Sequence, residues 1–532
     1  MSYRTRVSRR GFLGGGASAI GLGALALAAC GGSSKDEAGG ATGTPVAAGE
    51  PKRGGTIRYP STQLLGLDPM MTEGVAVAGF FYSYAVQLTD WAGTVGDLAT
   101  SWEVANDVDW TFTLRSDARF PEAAPTNGRL LVASDLAKSI DRNKGMPGAS
   151  ESWAQYVESY EAVDDTTFKI RTKKPYAYLL WLLGICPIVP MEAVEQLGDL
   201  RTHAVGTGPF VLAQYERGAA LNMVRNPLYY HDYPYIDGFN IKVIADEASI
   251  QAAFRANSVD VYDASNKAKV ESLQGIPGTT ISRYLDRGYA NIRLNGAKFA
   301  PFKDERVREA VDISLDRKGM IDRIQFGDAE LSGPVPPVFD TALPKEEVEA
   351  AYKRDVARAK QLLAAAGQEG MQFELFIGTG MDMPDQAAII KANLADAGIT
   401  VTIRSVDLGT WIAQMLAGDF EATVFNHLPY MTDDIPLQLL HSRGDTRTER
   451  NYLGVDDAQV DALLDQIHEE IDEAKRKDLA WEVQRLVLKR HGPTLLLYQP
   501  YGYWCAYDYI KGYTPTAYGF GLAKYDYWID KS

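Results

Sequence analysis

The chain reads as an α/β protein of two or three lobes, and three observations carry that reading. Between residues 371 and 427 extended and helical text alternate: "MQFELFIG", "PDQAAIIKANLADAG", "ITVTIRSV", "TWIAQMLAGDF" and "EATVFNH". A strand–helix–strand of this length should close as a right-handed parallel crossover. Earlier, "DWTFTLRSDARF" and "TTFKIRTKKPYAYLL" alternate polar and apolar residues, as half-buried antiparallel strands do. Finally, about 480 residues follow a low-complexity N-terminal stretch, enough for two or three lobes with sizeable cores.

In chain order, residues 1–29 have the shape of an export signal. Arg4, Arg6, Arg9 and Arg10 precede a Gly/Ala/Leu run that carries no charge before Lys35. Ser8-Arg9-Arg10-Gly11-Phe12-Leu13 looks like a twin-arginine (Tat) signal. Leu27-Ala28-Ala29-Cys30 resembles a bacterial lipobox, whose cysteine becomes the lipidated N-terminus. A membrane-spanning helix is the weaker reading, because the apolar run is short and glycine-rich for a ~30 Å hydrocarbon core. Residues 30–53 lack bulky apolar groups and read as a flexible tether. Acyl chains on Cys30 would hold the folded part at the outer, periplasmic-side face of the bacterial cell membrane, with no other membrane contact.

The signal takes away four arginines and no acids, so a formal charge of −15 becomes −19. Such acidity argues against nucleic acid or anionic headgroups as partners. Cys186 and Cys505 leave one disulfide possible outside the cell, but this is no disulfide scaffold.

The folded part begins near Gly54. "LLVASDLAKSIDR" reads as a helix with Ser134 as N-cap before Asp135. Gly206 and Gly208 punctuate a turn, and strands flank "ERGAA". A helix is expected near Glu247–Ala256, with a return to extended structure at Val259–Tyr262. "DERVREAVDISLDRKGMIDRI" places Val307, Ala310, Val311, Ser314 and Leu315 at helical spacing behind a cap at Asp304. "DVARAKQLLAAAG" repeats the device with Asp355 at its start and Gly367 just past its end. Pro384 opens the next helix and Gly398 closes it. The stretch "ATVFNHLPYMTDDIP" then begins in a sheet and leaves it at a strand's carboxyl end, where open α/β sheets bind ligands.

Four segments stand in one order and spacing: "PKRGGTIRYPSTQLLGLDP", "DLATSWEVANDVDWTFTLRSDARF", "VGTGPFVLAQYERGAALNMVRNPLYY" and "FKDERVREAVDISLDRKGMID". Behind a lipoprotein signal, they resemble the solute-binding proteins of bacterial peptide/nickel-type ABC importers, extracellular solute-binding protein family 5. The resemblance runs from about Gly54 to Tyr513. It implies a type II periplasmic-binding-protein-like α/β fold, two main α/β lobes joined by hinges with an additional, smaller inserted lobe. Lobe I would comprise residues 54–89, 176–284 and 489–532, lobe II residues 90–175, and lobe III residues 285–488. Solute would lie between lobes that close around it, and closure requires it to touch both walls. The closed form would dock on a membrane ABC permease, as a monomer, without cofactor, metal or catalysis.

In peptide-binding members, the strand matching "TVFNH" is followed by a tryptophan and then an aspartate that pairs with the peptide's amino group. A buried ammonium needs such a partner. Here Asn426 stands at the tryptophan's place and Pro429 near the aspartate's. Asp433 and Asp434 follow, either as a remodelled anchor or as a solvated turn before Pro436. Asn426, His427, Tyr430 and Asp433 are therefore the candidate contacts from this loop. Leu495–Leu497 read as a buried strand returning to lobe I, with Tyr498, Tyr501, Tyr503 and Trp504 as an aromatic wall of the cleft. Tyr82, Tyr84 and Trp91 are candidates for the opposite wall. The expected solute is a short peptide, or a neutral, aromatic-friendly molecule such as a glycoside. An extracellular hydrolase is the rival from another class, but neither HExxH nor G-x-S-x-G occurs, and the six histidines lack metal-ligand spacing. A third reading keeps the binding lobes and has them feed a sensory receptor.

Overall fold

The computed structural model describes residues 50–62, 64, 66–71, 74–88, 93–145, 150–264, 266–286, 288–380, 382–426, 433, 436–437, 440–442, 453–514 and 525–531. Three sheets carry its architecture. In the first, Thr56–Ser61 runs parallel to Gly238–Val243, and Ala220–Arg225 and Phe210–Glu216 follow antiparallel. The glycines of "VGTGPF" do more than turn the chain. A Cβ on Gly206 would stand 2.2 Å from the carbonyl oxygen of Phe81, and one on Gly208 2.4 Å from its carbonyl carbon. Their bare backbone lets this strand begin flush against the end of the helix Val75–Phe81.

The second sheet is antiparallel, in the order Ala99–Ala105, Asp109–Leu114, Thr167–Thr172, Val157–Ala162. All four strands fall inside the stretch expected as the inserted lobe. Trp110, Phe112 and Leu114 alternate inward and share a core with Leu136 and Ile140 of the helix Ala133–Lys144. The expected cap at Ser134 is corrected. The helix starts one residue before it, and the Asp135 carboxylate reaches back to accept from Val132 N–H at 3.0 Å. Arg129 grips the same carboxylate with two hydrogen bonds of 2.8 Å, so the charged residue in the first turn takes over the capping.

The third sheet has eight strands, six of them in the order Val261–Ala264, Thr494–Tyr507, Ala290–Leu294, Ala422–Asn426, Gln372–Gly378, Thr400–Val406. Thr279–Leu285 and Ala329–Glu330 also pair with the long strand. The expected crossovers are parallel: Phe373 lies opposite Val401, and Leu375 opposite Ala422. Asp304 accepts from Arg306 N–H and Asp355 from Arg358 N–H, both at 2.9 Å, as the capping pattern requires. Gly367 and Gly398 have φ of +67° and +84°, past the ends of their helices.

The strand Thr494–Tyr507 joins the two larger bodies. Its first part pairs with Ala290–Arg293, and Tyr501–Tyr507 pair with Thr279–Leu285. The expectation that Leu495–Leu497 already belong to lobe I is thereby corrected. Leu495 and Leu497 pack with Ile292 and Leu294 in the lobe III core, because a three-residue apolar run does not encode its partner. Cys186 and Cys505 are free thiols buried in different cores, and burial pushes each up to about 12. No described helix is long and apolar enough to cross a membrane.

Candidate functional site

The chain passes between the larger bodies twice, from Leu285 to Ala290 and again at Tyr498–Tyr501. Strand alternation sorts the side chains there onto two faces. Tyr501, Tyr503 and Arg283 share one, since Arg283 lies opposite Tyr503 and Leu285 opposite Tyr501. That face is closed by direct contact. The Tyr501 hydroxyl donates to Glu330 at 2.8 Å, the Arg283 guanidinium lies 3.3 Å over the Tyr501 ring, and Arg283 pairs with Asp328. Tyr503 packs among Ile250, Phe254, Val270 and Leu273.

The other face carries Asp263, Ser282, Tyr284 and Trp504. Asp263 is solvent-accessible, yet its surroundings strip water from it. That desolvation pushes its carboxyl from 3.8 up to about 7; the nearby acids Asp286 and Glu247 add to the rise, and the Tyr284 hydrogen bond opposes it. The Tyr284 hydroxyl donates to Asp263 at 2.9 Å. Its ring crosses the backbone of Gly502, where a Cβ would stand 2.3 Å from Cζ, so only glycine leaves room for that reach. Burial raises the Tyr59 phenol, with Asp263 adding to it, and its ring stacks 6.5 Å from Trp504.

At the crossing, Asp286 N–H donates to Pro500 O at 3.1 Å and Asp286 O accepts from the Gln499 amide. Gln499 is fully buried, and its Oε1 has no hydrogen-bond partner among the described residues. Asn291 is also fully buried, with neither amide atom partnered among them. Its neighbours Ala290 and Ile292 belong to the lobe III core, so alternation turns Asn291 to the opposite face.

The structure unites some of the expected contacts and separates others. Asn426, half-buried at its strand end, exchanges two hydrogen bonds with Gln386, at 3.1 and 3.2 Å. Gln386 also donates to the hydroxyl of Tyr498 at 2.7 Å, and Tyr498 is 1 % exposed. Gln325 donates to Asp382 at 3.2 Å beside them. Asn426 and Tyr498 thus share one neutral network that the sequence reading missed, because Gln386 looks like any polar residue on a helix. Asp433 is buried and accepts from Thr341 at 2.6 Å, which corrects the solvated-turn alternative.

An aromatic wall formed jointly by Tyr501, Tyr503 and Trp504 is also corrected. Neighbouring residues of a strand point to opposite faces, and Trp504, 2 % exposed, packs with Tyr59 and Tyr513. Tyr82 is corrected too, being buried in the lobe I core, where its hydroxyl accepts from Val205 N–H at 3.4 Å. Tyr84 is half-buried beside Asp97. Cys30, Trp91, His427, Tyr430 and Asp434 lie outside the described residues. Asp263, Tyr284 and Asp286 were missed, although the two aspartates inside "VDVYDA" are a readable signal. The described residues contain no group of three or more His, Cys, Asp or Glu placed to hold a metal ion.

Comparison with known proteins places this geometry. The model for bacterial extracellular solute-binding proteins, family 5 Middle, matches residues 93–446. The chain is 24% identical to the probable D,D-dipeptide-binding periplasmic protein DdpA of Escherichia coli K12, over 74% of this chain and 77% of that one. It is 25% identical to heme-binding protein A of Haemophilus influenzae, over 80% and 82% respectively. Among solved structures, the periplasmic binding protein DppA of Helicobacter pylori in complex with the peptide STSA superposes with a TM-score of 0.78 at 22% identity, over 90% of this chain and 99% of that one. That likeness establishes the fold.

Proposed function

We propose, from the premise that the chain belongs to the bacterial extracellular solute-binding proteins of family 5, that it captures a solute between its two larger lobes and hands it to an ABC permease. The observation that carries the reading is the strand Thr494–Tyr507, shared by two bodies between which the chain crosses twice. The lobe boundaries are those expected from the sequence, with the start of that strand in the lobe III sheet. The chain binds and releases its solute without changing it, in keeping with a family of binding proteins. A Tat-type signal ending before Cys30 exports it, and acyl chains on Cys30 anchor it outside the membrane as a monomer. The solute is a short peptide, or an aromatic-friendly small molecule of similar size. Relatives named for a D,D-dipeptide and for heme support that breadth.

A thermal-shift screen of the exported chain, freed from its anchor by Cys30→Ala, tests the reading. Binding to the folded state raises apparent stability, by about 2.7 kcal/mol at a ligand concentration of 100 Kd. At least one member of a panel of peptides, oligosaccharides and aromatic acids should raise Tm. Silence across the panel, with turnover of a chromogenic ester or glycoside, would establish the hydrolase instead.

A further inference from the structure

We propose that the outer face of the helix Leu408–Leu416 is the surface on which the membrane permease docks, through an apolar helix of its own. The inference rests on the hand-over to a permease and adds where on the chain that partner sits. Eight large apolar side chains are exposed among the described residues, and three of them stand on this one nine-residue helix. They are Leu408, Ile412 and Leu416, exposed by 39, 41 and 47 %. Their four-residue spacing lines them up as a ridge. Gly409, Ala413 and Ala417 repeat that spacing one residue further on, and all three are exposed. A ridge beside a shelf of small residues is the shape against which a second helix packs closely.

The inner face of the helix is firmly seated. Buried Trp411 donates its indole N–H to Thr423 Oγ1 at 3.0 Å and stacks 5.4 Å from Phe425. Asp407 caps the first turn by accepting from Thr410 N–H at 3.0 Å. Held in this way, the helix begins at the carboxyl end of the strand Thr400–Val406, the sheet end at which α/β folds meet their ligands.

Charge and area decide the occupant. Residues 408–418 carry no charge, in a chain whose formal net charge is −15. Two copies of so acidic a chain repel each other. The patch offers on the order of 300 Å², against roughly 800 Å² a side in a stable complex. A lasting pair of copies is thereby disfavoured, and a contact made and broken in every transport cycle is favoured. Exposed Asp407 and Asp419 bracket the stripe. Lys298 pairs with Asp419 at 3.0 Å, whereas Asp407 has no ion pair among the described residues. The docking helix therefore presents apolar side chains, with a basic residue at the end that meets Asp407.

Photo-cross-linking in the bacterium that makes the chain tests this on the full protein. A benzophenone amino acid replaces Ile412 or, for comparison, Val95, Val224 or Phe326, exposed apolar residues on other elements. Position 412 should link to a multi-spanning permease, identified by mass spectrometry, several times more often than the comparison positions. Leu416→Lys should cut that yield about tenfold, as a charge set into a small apolar contact does. Its melting temperature and its solute-induced shift should match those of the parent chain. Leu408→Lys, at the other end of the ridge, gives the same reading should Leu416→Lys fail to fold. Links from position 412 to a second copy of the chain, or to lipid alone, overturn the permease as occupant. Links to the permease no rarer from the comparison positions than from 412 overturn the surface and leave the hand-over intact. No link to a permease from any of the four positions overturns both, while the thermal-shift screen judges solute capture separately.

Discussion

At the scale of single residues, Asp263 has a consequence for stability that is opposite in sign to that of most carboxylates. Its folded carboxyl sits at about 7 against an ordinary 3.8, first through desolvation. The folded state therefore keeps a proton that the unfolded chain gives up between those values. The stability this contributes is present below about pH 4 and is lost as pH rises through 7. Besides burial, the groups that shift it are Tyr284, Asp286 and Glu247. Asp263→Asn should accordingly raise Tm at pH 8.5 and change it little at pH 3.5. Thermal melts at the two pH values check this, and a loss of stability at pH 8.5 would refute it. Gly502→Ala works through sterics. Its methyl meets the Tyr284 ring, and an overpacked site typically costs about 1–3 kcal/mol in urea unfolding. In the double variant with Tyr284→Ala the two costs should fail to add, because the clash disappears with the ring.

At the scale of elements, the sequence is most legible where structure is local. Asp304, Asp355, Gly367 and Gly398 sit at helix ends because capping needs a side chain within three residues or a φ above zero. Ser134 misleads because Asp135, one residue on, bonds more strongly once Arg129 holds it. Leu495–Leu497 mislead because strand pairing is non-local: the partner of Leu495 is Ile292, about 200 residues earlier. The site was half legible for the same reasons. Asn426 could be placed at a strand end, but its partner Gln386 faces it from a helix, and nothing in "PDQAAIIKANLADAG" marks that glutamine. The strand that returns after the helix Glu247–Arg255 was expected to end at Tyr262, one residue short of Asp263. The Gln386 network carries its own prediction. Gln386→Ala removes the 2.7 Å bond to Tyr498 and leaves the buried hydroxyl only the 3.5 Å bond from Gln325, at about 1–3 kcal/mol. Urea denaturation reads the loss, and Gln386→Leu, similar in size but with no hydrogen-bonding group, should not restore it.

At the scale of the whole molecule, the question is what holds the lobes together around a solute. The helix Ala458–Glu469 belongs to the stretch expected as lobe III, and it shares one hydrophobic core with Trp153, Tyr176 and Tyr178 of the stretches expected as lobes II and I. His468 is buried, its ring 5.7 Å from Tyr156, 6.5 Å from Tyr176 and 5.9 Å from Tyr178. Its carbonyl accepts from Ala177 N–H at 2.8 Å, and Lys174 pairs with the neighbouring Glu469. The exposed ion pair contributes little, so the aromatic enclosure carries most of this contact. These residues touch no expected solute contact and fasten the helix to the stretches expected as lobes I and II. A contact made only in the closed form shifts the open–closed population by its own free energy. Losing three edge-on ring contacts of about 0.5–1.5 kcal/mol each moves that balance toward open by tenfold or more. His468→Ala should therefore enlarge the ligand-free radius of gyration in small-angle scattering. It should also weaken every ligand by the same factor. An unchanged radius together with unchanged affinities would show that the lobes are held at the crossings alone.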